Sequence, residues 1–117
     1  MSKYGTAPAA HRTYLGIRFD SKAEMNRYLE LLALERVGKV RDIELQPEFV
    51  LIPGFTHAEA GKLRPLKYRA DFRYQETAGN RIIVEDVKGC RTDVYRIKRT
   101  LLLWRYPDLH FVEVPAR

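Results

Sequence analysis

The sequence predicts an α/β fold in which a mixed central β-sheet is flanked by helices, with its elements in the order α-β-β-β-α-β. Three observations predict it. A helical apolar stripe follows Ser21, and apolar and charged residues alternate strictly over 66–74. A strand pattern over 81–88 is then followed by a helix and a terminal apolar run, the succession that places two strands parallel.

Length and composition predict one domain. The 117 residues are 45% hydrophobic and 31% charged, which is typical of a folded soluble chain rather than a disordered one. Residues 1–13 lack an apolar period and predict a loose N-terminal arm, so that 14–117 form the single domain. We find no apolar run of membrane-spanning length and no secretory signal, and therefore expect a cytoplasmic protein.

The first helix is predicted over 21–37. Ser21 and Glu24 have the spacing of a capping box, and Gly38 is a natural C-terminal stop. The face expected to pack on the sheet comprises Met25, Tyr28, Leu29, Leu32 and Arg36, widened by Leu31, Leu34 and Val37.

Strand patterns occupy the middle of the chain. Residues 40–52 predict one bent or two short strands around Pro47, because proline is confined to sheet edges and breaks. The segment 53–62 is predicted to be a loop. Residues 66–74 predict a single strand with one apolar and one charged face.

A turn over 77–80 predicts that this strand pairs with 81–88 as an antiparallel hairpin. The second strand is apolar on both faces at its start, which indicates a central position in the sheet. A hairpin centred on this turn brings Asp71 opposite residue 86 or 87.

The second helix is predicted to begin at Thr92 or Asp93 and to end at Tyr106-Pro107. Its core-facing stripe is expected to comprise Val94, Ile97, Leu101 and Trp104. The terminal strand, 109–114, is expected to lie parallel to 81–88.

The positive charge is concentrated in the second half of the chain. The net charge is +6, and residues 61–117 contain thirteen basic and seven acidic residues, whereas the first half is balanced. Such a distribution suits a polyanion, although a solvated basic surface is the alternative. The lone Cys90 excludes an internal disulfide, and the scattered histidines exclude a zinc finger.

Two carboxylates and a lysine form the most informative pattern. Asp86 and Lys88 are two residues apart and share one face of their strand, and the hairpin places Asp71 beside them. Neighbouring carboxylates repel unless a cation lies between them, and hard oxygen ligands favour magnesium or manganese. The alternative is that these groups form structural ion pairs. Glu24 also has a structural explanation in the capping box, but its carboxylate can point at a metal ion.

These residues, in this order, resemble a known family. Glu24 on a helix, Asp71 in RADF, and Asp86 and Lys88 in VEDVKG are similar to the acidic, PD and (D/E)xK elements of the PD-(D/E)xK nuclease superfamily. FDSKAEMNRYLEL and VEDVKGCRTDVYRIKRTLLLW further resemble small phage endonucleases of the phage T7 endonuclease I type, which are Holliday junction resolvases. Ala70 stands where that pattern has proline. Glu85 is a second acidic residue, but the spacing to Lys88 favours Asp86 as the ligand.

The resemblance implies a restriction-endonuclease-like fold and a Mg²⁺ or Mn²⁺ cofactor. Asp71 and Asp86 would bind the catalytic metal together with the Val87 carbonyl, and Glu24 would hold a second ion or its water. Lys88 would position the attacking water and stabilise charge on the phosphate.

Beyond the motif, three cations are candidates for contacts with DNA backbone phosphates: Arg91, Lys98 and Arg99. We expect Tyr95 to pack rather than to act in the site. The remaining aromatic residues of this region are assigned to the core: Phe72, Tyr74 and Trp104.

The residues themselves predict metal-dependent hydrolysis of a phosphodiester, and they do not distinguish DNA from RNA. The resemblance implies a Mg²⁺-dependent endodeoxyribonuclease that acts on branched DNA in phage recombination or repair, within the bacterial host cytoplasm. Symmetric resolution of a junction requires two paired nicks, which implies a homodimer. One alternative is a non-catalytic nucleic-acid-binding module with structural carboxylates. Another is an accessory protein that binds a protein partner.

Overall fold

The computed structural model describes residues 7–116. A 3-10 turn at Ala9–Arg12 and a short hairpin, β1 (Thr13–Tyr14) with β2 (Ile17–Arg18), precede the first helix, α1 (Lys22–Arg36). Of the predicted N-terminal arm, residues 1–6 lie outside the described part of the chain.

Helix α1 begins where the sequence predicts. The Ser21 side chain caps it by accepting a hydrogen bond of 3.1 Å from the Glu24 backbone N–H. Its buried face is centred on the fully buried Leu31, whereas Arg36 and Val37 are exposed. The predicted face is therefore wrong at its C-terminal end, and it is also displaced around the helix, because Leu31 lies at the centre of the packed face and Leu29 and Leu32 lie outside it. The residues that pack are Met25, Tyr28, Leu31 and Leu34.

The remaining elements alternate strands with one further helix. In chain order they are β3 (Val40–Leu45), β4 (Glu48–Ile52), β5 (Phe55–His57), β6 (Gly61–Leu63), β7 (Leu66–Arg69), β8 (Phe72–Glu76), β9 (Ile82–Lys88), α2 (Asp93–Arg105) and β10 (His110–Pro115). Neither helix in the described residues is long and apolar enough to cross a bilayer.

The central sheet has four strands in the order β10-β9-β8-β3. β10 lies parallel to β9, while the β9–β8 and β8–β3 pairs are antiparallel. The mixed α/β architecture, the hairpin between β8 and β9 and the parallel terminal strand are therefore confirmed. β9 occupies the interior of this sheet, as its apolar start predicts.

Two predictions about strands are wrong. The segment predicted as a loop, 53–62, contains β5 and the start of β6, which form a small antiparallel hairpin. The segment predicted as one strand, 66–74, is divided, because β7 pairs with β4 whereas β8 belongs to the central sheet.

The division falls at Ala70 and Asp71. The Ala70 N–H donates to the Pro47 carbonyl, and the Asp71 N–H donates to the Glu85 carbonyl. The chain thus changes its pairing partner between two consecutive residues. The neighbouring strands β3 and β4 separate at the same level, at Gln46 and Pro47, so the predicted break at Pro47 is confirmed.

Two apolar cores cover the two faces of the central sheet. One lies under α1 and includes Phe72, Tyr74 and Ile83, as predicted for the first two. The other lies under α2 and includes Val84 and Leu102, together with residues of β4 and β7. Because side chains alternate along a strand, β9 contributes to both cores.

Helix α2 presents a different face to the core from the one predicted. Thr92 caps it through a 3.1 Å hydrogen bond from the Tyr95 N–H. Its buried residues are Tyr95 and Leu102, whereas the predicted stripe is largely exposed, Trp104 by 75%. The run Leu101-Leu102-Leu103 makes the helix apolar on more than one side, so its periodicity alone does not identify the packed face.

Candidate functional site

The candidate site lies at the C-terminal end of β9. Asp86 is only 1% exposed, and neither of its carboxylate oxygens has a hydrogen-bond partner among the described residues. The nearest cation is Lys88, whose Nζ lies 4.0 Å from Asp86 Oδ2. Burying a carboxylate without hydrogen-bond donors costs free energy, and nearly all buried polar atoms in folded proteins have a partner. The burial of Asp86 therefore calls for an explanation.

The β8–β9 register places Asp71 next to Asp86. Phe72 pairs with Glu85, so the residue before Phe72 stands beside the residue after Glu85. Asp71 Oδ2 accepts a 2.7 Å hydrogen bond from the Val87 backbone N–H, which fixes its carboxylate against β9. The predicted juxtaposition of Asp71 with residues 86 and 87 is therefore confirmed.

Glu24 enters this cluster from the first turn of α1. It is 5% exposed, and burial raises its pKa to about 8, with further contributions from the charges of Asp71, Asp20 and Asp86. The capping interaction uses the Glu24 backbone N–H and leaves its side chain available to face the strand carboxylates.

Burial also dominates the titration of the two aspartates. It raises the pKa of Asp86 to about 6, and Lys88 opposes this shift. It raises the pKa of Asp71 as well, against the Val87 hydrogen bond and the charge of Lys88. The charges of Asp71, Asp86 and Lys88 thus all act on the pKa of Glu24, and the charge of Lys88 acts on both aspartates.

Glu85, the reserve ligand, faces the other side of the sheet. Arg27 of α1 donates to both of its oxygens, from Nε at 2.8 Å and from Nη2 at 2.7 Å, and the Tyr74 hydroxyl donates to Oε2. The side chain is 1% exposed and its charge is satisfied by these donors. The strand register therefore favours Asp86 as the residue free to bind a ligand.

Glu113 is a further acidic residue that sequence reasoning missed. It pairs with Asp86 in the parallel β10–β9 register, and it contributes to the raised pKa of Asp86. The Tyr95 hydroxyl donates to Glu113 at 2.5 Å, and this bond, aided by Arg91 and Arg99, lowers the pKa of Glu113. The parallel pairing predicted for 109–114 indicates that Glu113 lies in the strand next to β9, but only the observed register places it beside Asp86.

The three predicted phosphate contacts divide into two groups. Arg91 Nη2 lies 2.8 Å from Glu113 Oε1 and Arg99 Nε lies 3.9 Å from Oε2, so both arginines are partly neutralised. Lys98 instead lines a cleft together with Lys88. Tyr95 is buried as expected, and the Lys88 ammonium lies 4.4 Å from its ring centroid.

The donor set is suited to a hard divalent cation. Among residues 7–116, no group of three or more His, Cys, Asp and Glu side chains forms a ready-made metal cluster. Asp71 and Asp86 nevertheless provide adjacent carboxylates, and the unpartnered oxygens of Asp86 would gain in a cation the partner that no protein group supplies. Val87 adjoins both carboxylates, since it follows Asp86 in β9 and its backbone N–H donates to Asp71 Oδ2.

A family model described as "Protein of unknown function (DUF1064)" matches residues 1–115. The chain belongs to the DUF1064 family. No curated protein and no solved structure matches the chain. Membership of DUF1064 assigns no activity, so the function has to be inferred from the chemistry of the carboxylate cluster.

Proposed function

We propose that this protein is a metal-dependent DNA endonuclease with a restriction-endonuclease-like fold. The observation that carries the proposal is Asp86, which is buried beside Asp71, has no hydrogen-bond partner within residues 7–116 and lies 4.0 Å from the Lys88 ammonium. A cluster of this kind is costly for a protein that leaves it without a ligand. Two carboxylates can hold a metal ion that activates water for phosphodiester hydrolysis, and a lysine can stabilise the charge that develops on the phosphate.

Asp71, Asp86 and the Val87 carbonyl would hold Mg²⁺ or Mn²⁺, and Glu24 would hold a second ion or its water. The metal supplies Lewis-acid stabilisation of the negative charge that develops on the phosphate. The Lys88 ammonium, which lies beside Asp86 and over the Tyr95 ring, positions the attacking water and stabilises the phosphoryl oxygens. The oxygen of this water bonds to phosphorus as the bond to the leaving sugar oxygen breaks; the water gives up one proton to bulk solvent, and the leaving oxygen takes one proton from it.

Branched DNA is the proposed substrate class. Support for it comes from the resemblance of Glu24, Asp71, Asp86 and Lys88, in their sequence context, to junction-resolving phage endonucleases. Symmetric cutting of a four-way junction would require two copies of the protein related by a two-fold axis. The +6 net charge is suited to a DNA partner.

The direct test is a cleavage assay with a labelled four-way junction and a linear duplex of matched sequence, in Mg²⁺, Mn²⁺ or EDTA. We expect metal-dependent cutting with preference for the junction. Asp86→Asn and Lys88→Ala should each reduce the cleavage rate by on the order of 100-fold or more, because each removes a group that acts on the transition state. Asp108→Asn is the matched control, since this exposed carboxylate precedes β10 at the opposite end of the sheet.

Two outcomes would contradict the proposal. Undiminished cutting by Lys88→Ala would overturn the assigned role of the lysine. Junction binding without cutting under every metal condition would instead identify a nucleic-acid-binding module in which the carboxylates are structural.

A further inference from the structure

A basic cleft adjoins the carboxylate cluster on the α2 side of the sheet. Its volume is about 370 Å³, and it lies between β7, the end of β9 and α2. Its walls carry four cations, Lys67, Arg69, Lys88 and Lys98, and two aromatic residues, Tyr68 and Tyr95.

The positive charge of the cleft is only partly compensated. Glu48 is the one acidic residue in its lining, and it lies 3.8 Å from Lys67. Arg69 and Lys98 form no salt bridge with any described residue. Two cations on facing elements, one from β7 and one from α2, are therefore available to an anion.

Tyr68 provides an independent indication of a ligand. The residue lines the cleft and is 4% exposed, yet its buried hydroxyl has no hydrogen-bond partner among residues 7–116. Buried hydroxyls in folded proteins nearly always have a partner. A phosphate oxygen is an acceptor that would satisfy the hydroxyl and the neighbouring cations together.

Lys88 connects this cleft to the proposed catalytic centre. Its ammonium group lies 4.0 Å from Asp86 and over the ring of Tyr95, and Lys88 also lines the cleft. An anion in the cleft and an anion at the carboxylates would thus lie on either side of one lysine. Successive phosphates of a single DNA strand have this relationship, since each is joined to the next by one sugar.

We propose that the cleft binds the DNA backbone phosphate that adjoins the scissile one, with Arg69, Lys98 and the Tyr68 hydroxyl as its ligands. This assignment rests on the proposed endonuclease function. It makes β7 part of the DNA-binding surface and retains Lys98 of the predicted phosphate contacts, whereas Glu113 partly neutralises Arg91 and Arg99.

Equilibrium binding in EDTA tests the cleft without cleavage. Fluorescence anisotropy of a labelled four-way junction, titrated with the full-length protein at several salt concentrations, gives both Kd and its salt dependence. We expect Arg69→Ala and Lys98→Ala each to weaken binding by about 3- to 10-fold and to reduce the slope of log K against log salt by about one.

Lys39→Ala is the matched control. Lys39 is an exposed cation without a salt bridge among the described residues, and its carbonyl accepts from Thr77 at the distant end of the β8–β9 hairpin. Its replacement should leave Kd within twofold of the wild-type value. Equal losses in all three variants would overturn the proposal, because they would show that the charges act only through the overall field.

Tyr68→Phe tests the hydroxyl while the ring is retained in the core. We expect binding to weaken by about 2- to 5-fold with an unchanged salt slope, and a thermal melt should show that the variant is folded. Wild-type affinity in this variant and in Arg69→Ala would overturn the subsite. Failure of the endonuclease proposal looks different, since binding would still depend on Arg69 and Lys98 while no metal supported cutting.

Discussion

Glu85 and Asp86 are consecutive in β9 and equally buried, but their surroundings differ. Arg27 and Tyr74 donate to Glu85, which gives its charge a complete set of partners. Among residues 7–116, no hydrogen-bond donor meets Asp86, and its salt bridge is to Lys88 at 4.0 Å. An ionised group inside a protein requires donors or an ion, so the structure explains the burial of Glu85, and a bound cation is the partner that we propose for Asp86.

The Arg27–Glu85 pair gives a prediction at this scale. Arg27→Met leaves a buried carboxylate with a single donor and should reduce the free energy of unfolding by about 3 to 5 kcal/mol. The double variant Arg27→Met with Glu85→Met should be much less destabilised, because no charge remains unpaired. Urea denaturation of the single and double variants measures both effects. Additive losses in the double variant would contradict this explanation of the pair.

At the scale of elements, α2 shows where sequence periodicity is insufficient. Its apolar residues fall on two faces, one centred on Leu102 and the other on Ile97 and Trp104. Only the contact with β4 and β7 decides between them, and this contact depends on strands that are distant in sequence. The predicted stripe followed the period correctly but chose the face that remains in solvent.

The packed face of α2 predicts that truncating Leu102 and truncating Trp104 have different effects on stability. Leu102→Ala should cost about 2 to 5 kcal/mol of folding free energy, because Leu102 is fully buried and its removal leaves a cavity. Trp104→Ala should change stability by less than about 0.5 kcal/mol, since the side chain is 75% exposed. Unfolding titrations with guanidinium chloride measure the free energy of unfolding of both variants. A larger loss for the tryptophan would show that this face is covered in solution.

The sequence predicted those features correctly that depend on residues close together in the chain. The Ser21 cap, the turn at 77–80 and the β8–β9 register all follow from nearby residues, and the register brought Asp71 beside Asp86. The division of 66–76 could not be predicted, because the alternation of buried residues continues through Ala70 while the pairing partner changes. The position of Glu113 beside Asp86 could not be predicted either, because it depends on the register of the parallel β9–β10 pair. No turn between these strands fixes that register.

At the scale of the molecule, the carboxylate cluster lies where two cores meet. β9 separates the core under α1 from the core under α2, and Asp86 is its last buried residue before the half-buried Val87 and Lys88. The surrounding packing excludes water from Asp86 and from Glu24. The stability of the whole domain is therefore linked to protons and to any bound cation.

This linkage predicts a pH dependence. The pKa of Glu24 is raised from 4.5 to about 8 and that of Asp86 from 3.8 to about 6, so the folded state holds these protons more tightly than the unfolded state. In EDTA, their contribution to stability is complete below about pH 4 and is lost as the pH rises to about 8. Thermal melts across this range measure the loss.

Asp86→Asn isolates the contribution of one carboxyl. In EDTA at pH 8 the variant should be more stable than the wild type by on the order of 2 kcal/mol, because it no longer buries this charge. Added Mg²⁺ should stabilise the wild type and have little effect on the variant. Identical pH profiles for the two proteins, or equal stabilisation by Mg²⁺, would contradict a ligand role for Asp86.

The two hydrogen bonds from Arg27 to Glu85 also determine the register in which β9 pairs with its neighbouring strands. A strand that slips by one residue exchanges its faces, so Glu85 would turn towards α2 and the shorter Asp86 towards Arg27. Ile83 and Val84 would trade cores in the same movement. With two acidic residues in sequence, the guanidinium and the Tyr74 hydroxyl distinguish the longer side chain from the shorter one. The hydrogen bonds to Glu85 thereby select the register of β9, and this register determines the position of Asp86.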